Sequence, residues 1–275
     1  MTAPKSERIV RWFRVSTRLA LFVGAVVAGV AGFYFHRSHR RSLLSRARWL
    51  QRSCRRALRI LRVNYSVGGR VPTGSIIVAN HLGYVDVLVL AALTPVVFVA
   101  KREVRSWPIF GWFARMAGTR FIDRERRADV VRIANELAGP LKEGVNVVLF
   151  LEGTSTDGQG VLPFKPSLLE PAVRHGWPVT PAAMTFRVPD GHSARDEVCW
   201  WGDMTLAPHL LNLVGLPWVD ARVACGEPMV AHGDRKQVAA ELHTRVGQLL
   251  AALRDPGETC PIPSGEAASL VDATA

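Results

Sequence analysis

Acidic side chains are almost missing from the first 62 residues, where Glu7 is the single carboxylate against 15 of the chain's 35 Lys and Arg. That segment carries +14. Residues 63–275 hold 20 basic and 22 acidic side chains, so the formal net charge of +12 belongs to the N-terminus alone. A globular nucleic-acid binder carries its basic patch on the folded body; a body this close to neutral argues against that class, and no nucleic-acid partner is expected. Cysteine is scarce as well. Cys54, Cys199, Cys225 and Cys260 stand far apart with no CxxC pair, which suggests neither a disulfide framework nor a zinc site and fits a reducing compartment. No internal repeat is evident. A chain of 275 residues, 48% hydrophobic, suits one α/β domain with an appendage better than two independent domains.

What the N-terminal segment does contain is an uncharged run of 17 residues, Leu19 to Phe35, preceded by Arg8, Arg11, Arg14 and Arg18 and followed by Arg37, Arg40 and Arg41. A spanning helix needs roughly 17–25 apolar residues, so this run either crosses a bilayer or dips into one leaflet. Positive charge straight after the run argues against a cleaved signal peptide and for a basic, cytoplasmic side. From Ser42 to Val63 the residues Leu43, Ala47, Leu50, Cys54, Leu58 and Leu61 follow steps of three and four, with arginines between them. This basic amphipathic helix is read as lying on an anionic membrane surface, in preference to packing on the body, because it adjoins the apolar run. Residues 1–63 are thus expected to be a membrane anchor, 64–254 an α/β domain and 255–275 a flexible tail.

Short apolar runs then alternate with longer amphipathic ones. The patterning predicts strands at Ser75–Ala79, Val96–Ala100, Thr119–Ile122, Val145–Leu151, Val179–Phe186 and Ala221–Cys225, and helices at 87–93, 103–117, 126–138, 166–175 and 234–254. Such alternation indicates an α/β fold with a mainly parallel sheet flanked by helices, whose ligands gather beyond the carboxyl ends of the strands.

One strand exit carries candidate chemistry. Val78-Ala79-Asn80-His81-Leu82-Gly83-Tyr84-Val85-Asp86 places a histidine and a carboxylate five residues apart. On one continuous helix that offset would turn Asp86 about 140° away from His81, so the two meet only if the chain turns. Gly83 makes the turn inexpensive, and Asp86 can then face the imidazole from the start of the next helix. A carboxylate on one ring nitrogen leaves the other as an acceptor, as a general base for a hydroxyl requires. Taken alone, the pair reads more simply as an N-cap and a loop histidine.

Further stretches shift that balance: Phe121-Ile122-Asp123-Arg124, Phe150-Leu151-Glu152-Gly153-Thr154 and Trp177-Pro178-Val179-Thr180-Pro181. With NHLGYVD they resemble, in order, the four blocks of the glycerophospholipid acyltransferase family, in particular the bacterial 1-acylglycerol-3-phosphate acyltransferases, over about Gly74 to Phe186. The resemblance implies transfer of an acyl group from acyl-coenzyme A or acyl carrier protein to the free hydroxyl of a lysophospholipid. His81 would be the base and Asp86 the group that holds it, with no metal or cofactor. It also implies an acceptor site that includes Glu152, Gly153 and Thr154, with Arg124 and Arg120 pairing with a phosphate. A bacterial protein at the cytoplasmic face of the inner membrane is the setting it suggests.

Two departures bear on the acceptor. Ser155 stands where the third block usually has an Arg, and Leu151 replaces the usual Pro. The stretch from Asp157 to Lys165 resembles lyso-ornithine-lipid acyltransferases of the same family, and Lys165 is a candidate to compensate for the missing Arg. Phosphatidic acid is the first product expected, acylated ornithine lipid the alternative. A non-catalytic basic membrane or nucleic-acid-binding protein is a third possibility, which has no use for a His/Asp pair beside these blocks.

Overall fold

The computed structural model describes residues 5–36, 42–107, 110–123 and 127–254. In chain order the elements are α1 (Lys5–Phe35), α2 (Leu43–Leu61), β1 (Val63–Gly68), β2 (Ile76–Ala79), α3 (Tyr84–Leu93), β3 (Val96–Lys101), α4 (Phe110–Ala117), β4 (Arg120–Ile122), α5 (Arg127–Lys142), β5 (Asn146–Leu149), α6 (Glu170–His175), β6 (Pro178–Arg187), α7 (Ala194–Glu197), α8 (Leu206–Gly215), β7 (Val219–Cys225), β8 (Met229–Val230) and α9 (Arg235–Arg254). The strands form one sheet in the order β1-β7-β6-β2-β5-β3-β4, with β8 beside β6. The β6/β7 and β6/β8 pairs are antiparallel and the others parallel. This is the mainly parallel α/β architecture expected.

Because side chains alternate along a strand, the sheet divides the core in two. Ile77, Ala79, Phe98, Val148 and Phe150 pack on one face with Cys54 and Leu58 of α2, Val85 and Val89 of α3 and Leu213 of α8. Ile76, Val78, Val147 and Leu149 pack on the other face with Ile133 and Leu137 of α5, Ala172 of α6 and Leu242 of α9.

The placement of α2 differs from the sequence reading. Its apolar stripe, including Ala47, Cys54, Leu58 and Leu61, is buried in the body instead of facing lipid. Two of its polar side chains close the C-terminus of α3, whose last carbonyls lack helical partners: Arg55 Nε donates to Ala92 O at 2.8 Å and Gln51 Nε2 to Leu93 O at 3.1 Å. Periodicity identified the apolar face but not what covers it. Arg48, Arg52, Arg56 and Arg59 remain exposed on the opposite side.

Helix α1 is also tied to the body. Arg18, 8% exposed, donates to the carbonyls of Val214, Leu216 and Pro217, Arg14 to that of Gly215, and Arg11 to Asn212 Oδ1, so three arginines meet the negative end of α8. At the other end Trp49 Nε1 donates to Gly29 O at 2.9 Å, and the Phe33 ring lies 4.9 Å from that of Trp49. The outer face carries exposed Ile9, Trp12, Phe13, Val23 and Val27.

Candidate active site

His81 leaves the carboxyl end of β2 beside the neighbouring strand β5. The register of that pair sets Val78 against Leu149, so three residues further on His81 comes opposite Glu152. The turn after His81 runs through Gly83, whose φ of 142° suits a residue without Cβ; an added Cβ would meet Trp200 N at 3.0 Å. Gly83 is the N-cap of α3, and Asp86 stands in the helix's first turn. The helix therefore begins three residues earlier than the expected residue 87, because Gly83 starts it.

The turn brings the pair together. Asp86 Oδ2 lies 2.9 Å from His81 Nδ1. The same oxygen accepts the backbone N–H groups of Leu82 and Gly83, the latter at 3.0 Å. The Asp86 side chain is fully buried, whereas that of His81 is 23% exposed. The imidazole stacks on Phe150, ring centres 4.0 Å apart and planes 14° from parallel. With Nδ1 bonded to a carboxylate, the ring is held in the tautomer that offers Nε2 as an acceptor.

The backbone of His81 is fixed at both ends. Glu152 Oε1 accepts its N–H at 2.7 Å, and Thr156 donates to its carbonyl from N at 2.8 Å and from Oγ1 at 3.2 Å. The second oxygen of Glu152 accepts Leu162 N–H at 2.8 Å. Glu152 thus has both oxygens on backbone N–H groups: it closes loop 153–162 and anchors His81. Burial pushes its carboxyl above the usual range, opposed by the N–H groups of Leu162 and His81. Thr156 escaped the sequence reading, since it lies on no signal separable from ordinary loop patterning, and the stacking of Phe150 on the imidazole is a tertiary contact that its block does not show.

The remaining expected residues scatter. Gly153 is buried with φ 82°, a left-handed conformation that lets the chain turn beneath Glu152. Thr154 and Lys165 are exposed, and Lys165 N donates to Leu151 O at 2.9 Å. Arg120 is not brought to His81. Alternation places it with Ile122 on the α5 side of the sheet, where its Nε meets Glu136 Oε2 at 3.3 Å, while His81 lies with Phe150 on the opposite face. Arg124 lies outside the described residues.

Comparison with known proteins finds similarity to acyltransferases. A family model described as Acyltransferase matches residues 62–185. The chain is 39% identical over 188 residues to a lyso-ornithine lipid O-acyltransferase of Brucella abortus, covering 64% of this chain and 70% of that one. It is 34% identical to the lyso-ornithine lipid O-acyltransferase of Pseudomonas aeruginosa over 77% of this chain and 80% of that one. A 1-acyl-sn-glycerol-3-phosphate acyltransferase of Neisseria meningitidis is 33% identical over 55% of this chain and 59% of its own length. In fold, the chain resembles the crystal structure of the 1-acyl-sn-glycerophosphate acyltransferase of Thermotoga maritima, with TM-score 0.64 and 19% identity over 90% of this chain and 95% of that one.

Proposed function

We propose that this chain, which belongs to the acyltransferase family, moves a fatty acyl group from a thioester to the hydroxyl of lyso-ornithine lipid at a membrane surface. The observation that carries the reaction is the His81–Asp86 contact at the carboxyl end of β2, with Nε2 left to accept a proton. As the lipid hydroxyl attacks the thioester carbonyl, its proton passes to His81 Nε2 and the new ester C–O bond forms. The C–S bond then breaks and the leaving thiolate takes the proton back from the imidazolium. Asp86 stabilises that imidazolium from a buried position where its charge is little screened. The donor is acyl-coenzyme A or acyl carrier protein, bound as a substrate.

Three observations favour an amino-acid lipid over 1-acylglycerol-3-phosphate. Ser155 occupies the place of the usual Arg, Arg120 is engaged with Glu136 away from His81, and the Brucella and Pseudomonas relatives bear the lyso-ornithine name.

The membrane reading rests on α1. Its contacts with the body run from Arg11 to Phe33, about 33 Å of helix, while its outer face is apolar. A helix bound along its length lies in the plane of one leaflet, although Arg8–Phe35 is long and apolar enough to span. Exposed Arg48, Arg52, Arg56 and Arg59 on α2 suit anionic head groups.

The test is a panel of lysolipids, with and without phosphate, offered to the purified full chain in phospholipid micelles with acyl-coenzyme A and acyl carrier protein donors. Faster acylation of lyso-ornithine lipid than of lysophosphatidic acid supports the acceptor assignment. The reverse order returns it to 1-acylglycerol-3-phosphate, and no transfer to any lysolipid overturns the whole reading.

A further inference from the structure

Loop 153–162, which Glu152 closes, continues beyond Thr156 into the wall of a hollow of about 440 Å3 lined by Leu82, Asp157, Gly158, Arg195, Cys199 and Arg254, among others. The hollow adjoins the catalytic turn through two chain segments. Leu82 follows His81 directly and gives its N–H to Asp86, while Gly158 N lies 3.4 Å from Thr156 Oγ1, which in turn bonds His81 O. Gly158 keeps the space open between these walls: with φ 79°, a Cβ there would meet Leu82 Cδ2 at 3.2 Å and Cys199 Sγ at 3.4 Å.

Charge in the hollow is mixed. Arg195 Nε lies 3.2 Å from Asp157 Oδ2, and its guanidinium sits 4.8 Å above the Trp201 ring. Arg254, at the end of α9, donates to the carbonyls of Gln159 and Gly158. Around the Cys199 thiol, burial and then the charges of Asp86, Asp157 and Asp196 act in one direction and Arg254 in the other, pushing the thiol up to about 12. A phosphate dianion entering here meets carboxylates as well as guanidinium groups.

We propose that this hollow is the head-group subsite of the acceptor and that it selects a zwitterionic amino acid, with the carboxylate received by Arg195 and Arg254 and the ammonium by Asp157. The proposal rests on the acceptor assigned above: an ornithine acylated on its α-amine keeps one carboxylate and one side-chain ammonium. In the Arg195–Asp157 pair the arginine is 47% exposed and the aspartate 22%, so solvent reaches the pair and screens it, and such pairs are weak. A ligand that supplies both opposite charges therefore parts them at small cost and replaces one pair by two charge-assisted contacts. A dianion offers nothing to Asp157.

The experiment measures initial rates for the full chain in phospholipid micelles against lyso-ornithine lipid and lysophosphatidic acid, for wild type, Asp157→Asn, Arg195→Gln and Arg195→Lys. Loss of one charge-assisted contact raises the KM for lyso-ornithine lipid by about tenfold. The expected result is that rise in Asp157→Asn and Arg195→Gln with kcat within about threefold, an unchanged KM for the donor, and partial recovery in Arg195→Lys. For lysophosphatidic acid, Asp157→Asn lowers KM or leaves it unchanged. An unaltered KM in both variants, an equal rise for both acceptors or a loss confined to kcat would overturn the subsite while leaving the acceptor assignment standing. A wild type that acylates only phosphate-bearing lysolipids overturns both. Thermal unfolding of each variant identifies a folding defect, and Asp157→Asn, a nearly isosteric change, then decides.

Discussion

Glu152 Oε1 accepts the backbone N–H of His81 at 2.7 Å, so a buried carboxylate on one strand exit sets the position of the imidazole on the next. Glu152 acts as a positioning residue and its removal belongs in kcat. Glu152→Ala leaves the N–H groups of His81 and Leu162 without their acceptor, at about 1–3 kcal/mol each in stability. Displacement of His81 by a fraction of an ångström lowers kcat by about 10–100-fold. Steady-state rates over a range of lysolipid concentrations check this; a raised KM with kcat intact would mean that Glu152 contacts the acceptor after all.

Asp86→Asn preserves the shape of the buried side chain but removes the charge that faces the imidazolium. Turnover falls by about 100- to 10,000-fold, with the acceptor KM little changed. Retention of a tenth or more of wild-type kcat would show that the aspartate only caps α3.

The raised Glu152 carboxyl gives stability a defined pH slope. A group that binds its proton more tightly when folded contributes stability that is complete below its unfolded value and is lost as pH rises through the folded one. Burial is the leading cause, so the difference in unfolding temperature between wild type and Glu152→Gln shifts in favour of the variant as pH climbs above the ordinary glutamate range. A difference independent of pH, or of opposite slope, contradicts the burial argument.

Trp12 and Phe13 are 62% and 72% exposed on the outer face of α1. Replacing both by serine removes apolar contact with the acyl boundary and weakens binding to anionic phospholipid vesicles by about tenfold or more, while the contacts of Arg14 and Arg18 with α8 persist. Sedimentation with vesicles measures the partition. Unchanged binding would move the membrane contact elsewhere.

How far the sequence could be read depended on whether local pattern or tertiary context decided the outcome. The His81–Asp86 contact was legible because only a turn at Gly83 reconciles an offset of five with a meeting of side chains, and the structure makes that turn. The sheet class was legible from alternating runs, yet β1 was not: Val63 to Gly68 continues from a helix that ends only where Arg62 takes a left-handed conformation, φ 57°. Helix α8 carries no comparable local signal, since its role is to receive the arginines of α1 across the fold. For α2 the stripe was correct and its partner wrong, because lipid and protein cores ask for the same periodicity. Glu152 stands in a block legible in the sequence, but its use of both oxygens on backbone follows from the β2–β5 register, which no single-strand pattern contains.

The claim on which the rest depends is that His81 Nε2 takes the proton of the lipid hydroxyl. Its most direct test is the single-turnover rate of acyl transfer from a radiolabelled thioester to lysolipid by His81→Ala, in micelles, with folding verified by circular dichroism. Loss of the base together with its oriented tautomer predicts a rate at or below about one thousandth of wild type. A folded His81→Ala protein that transfers within tenfold of the wild-type rate would contradict it.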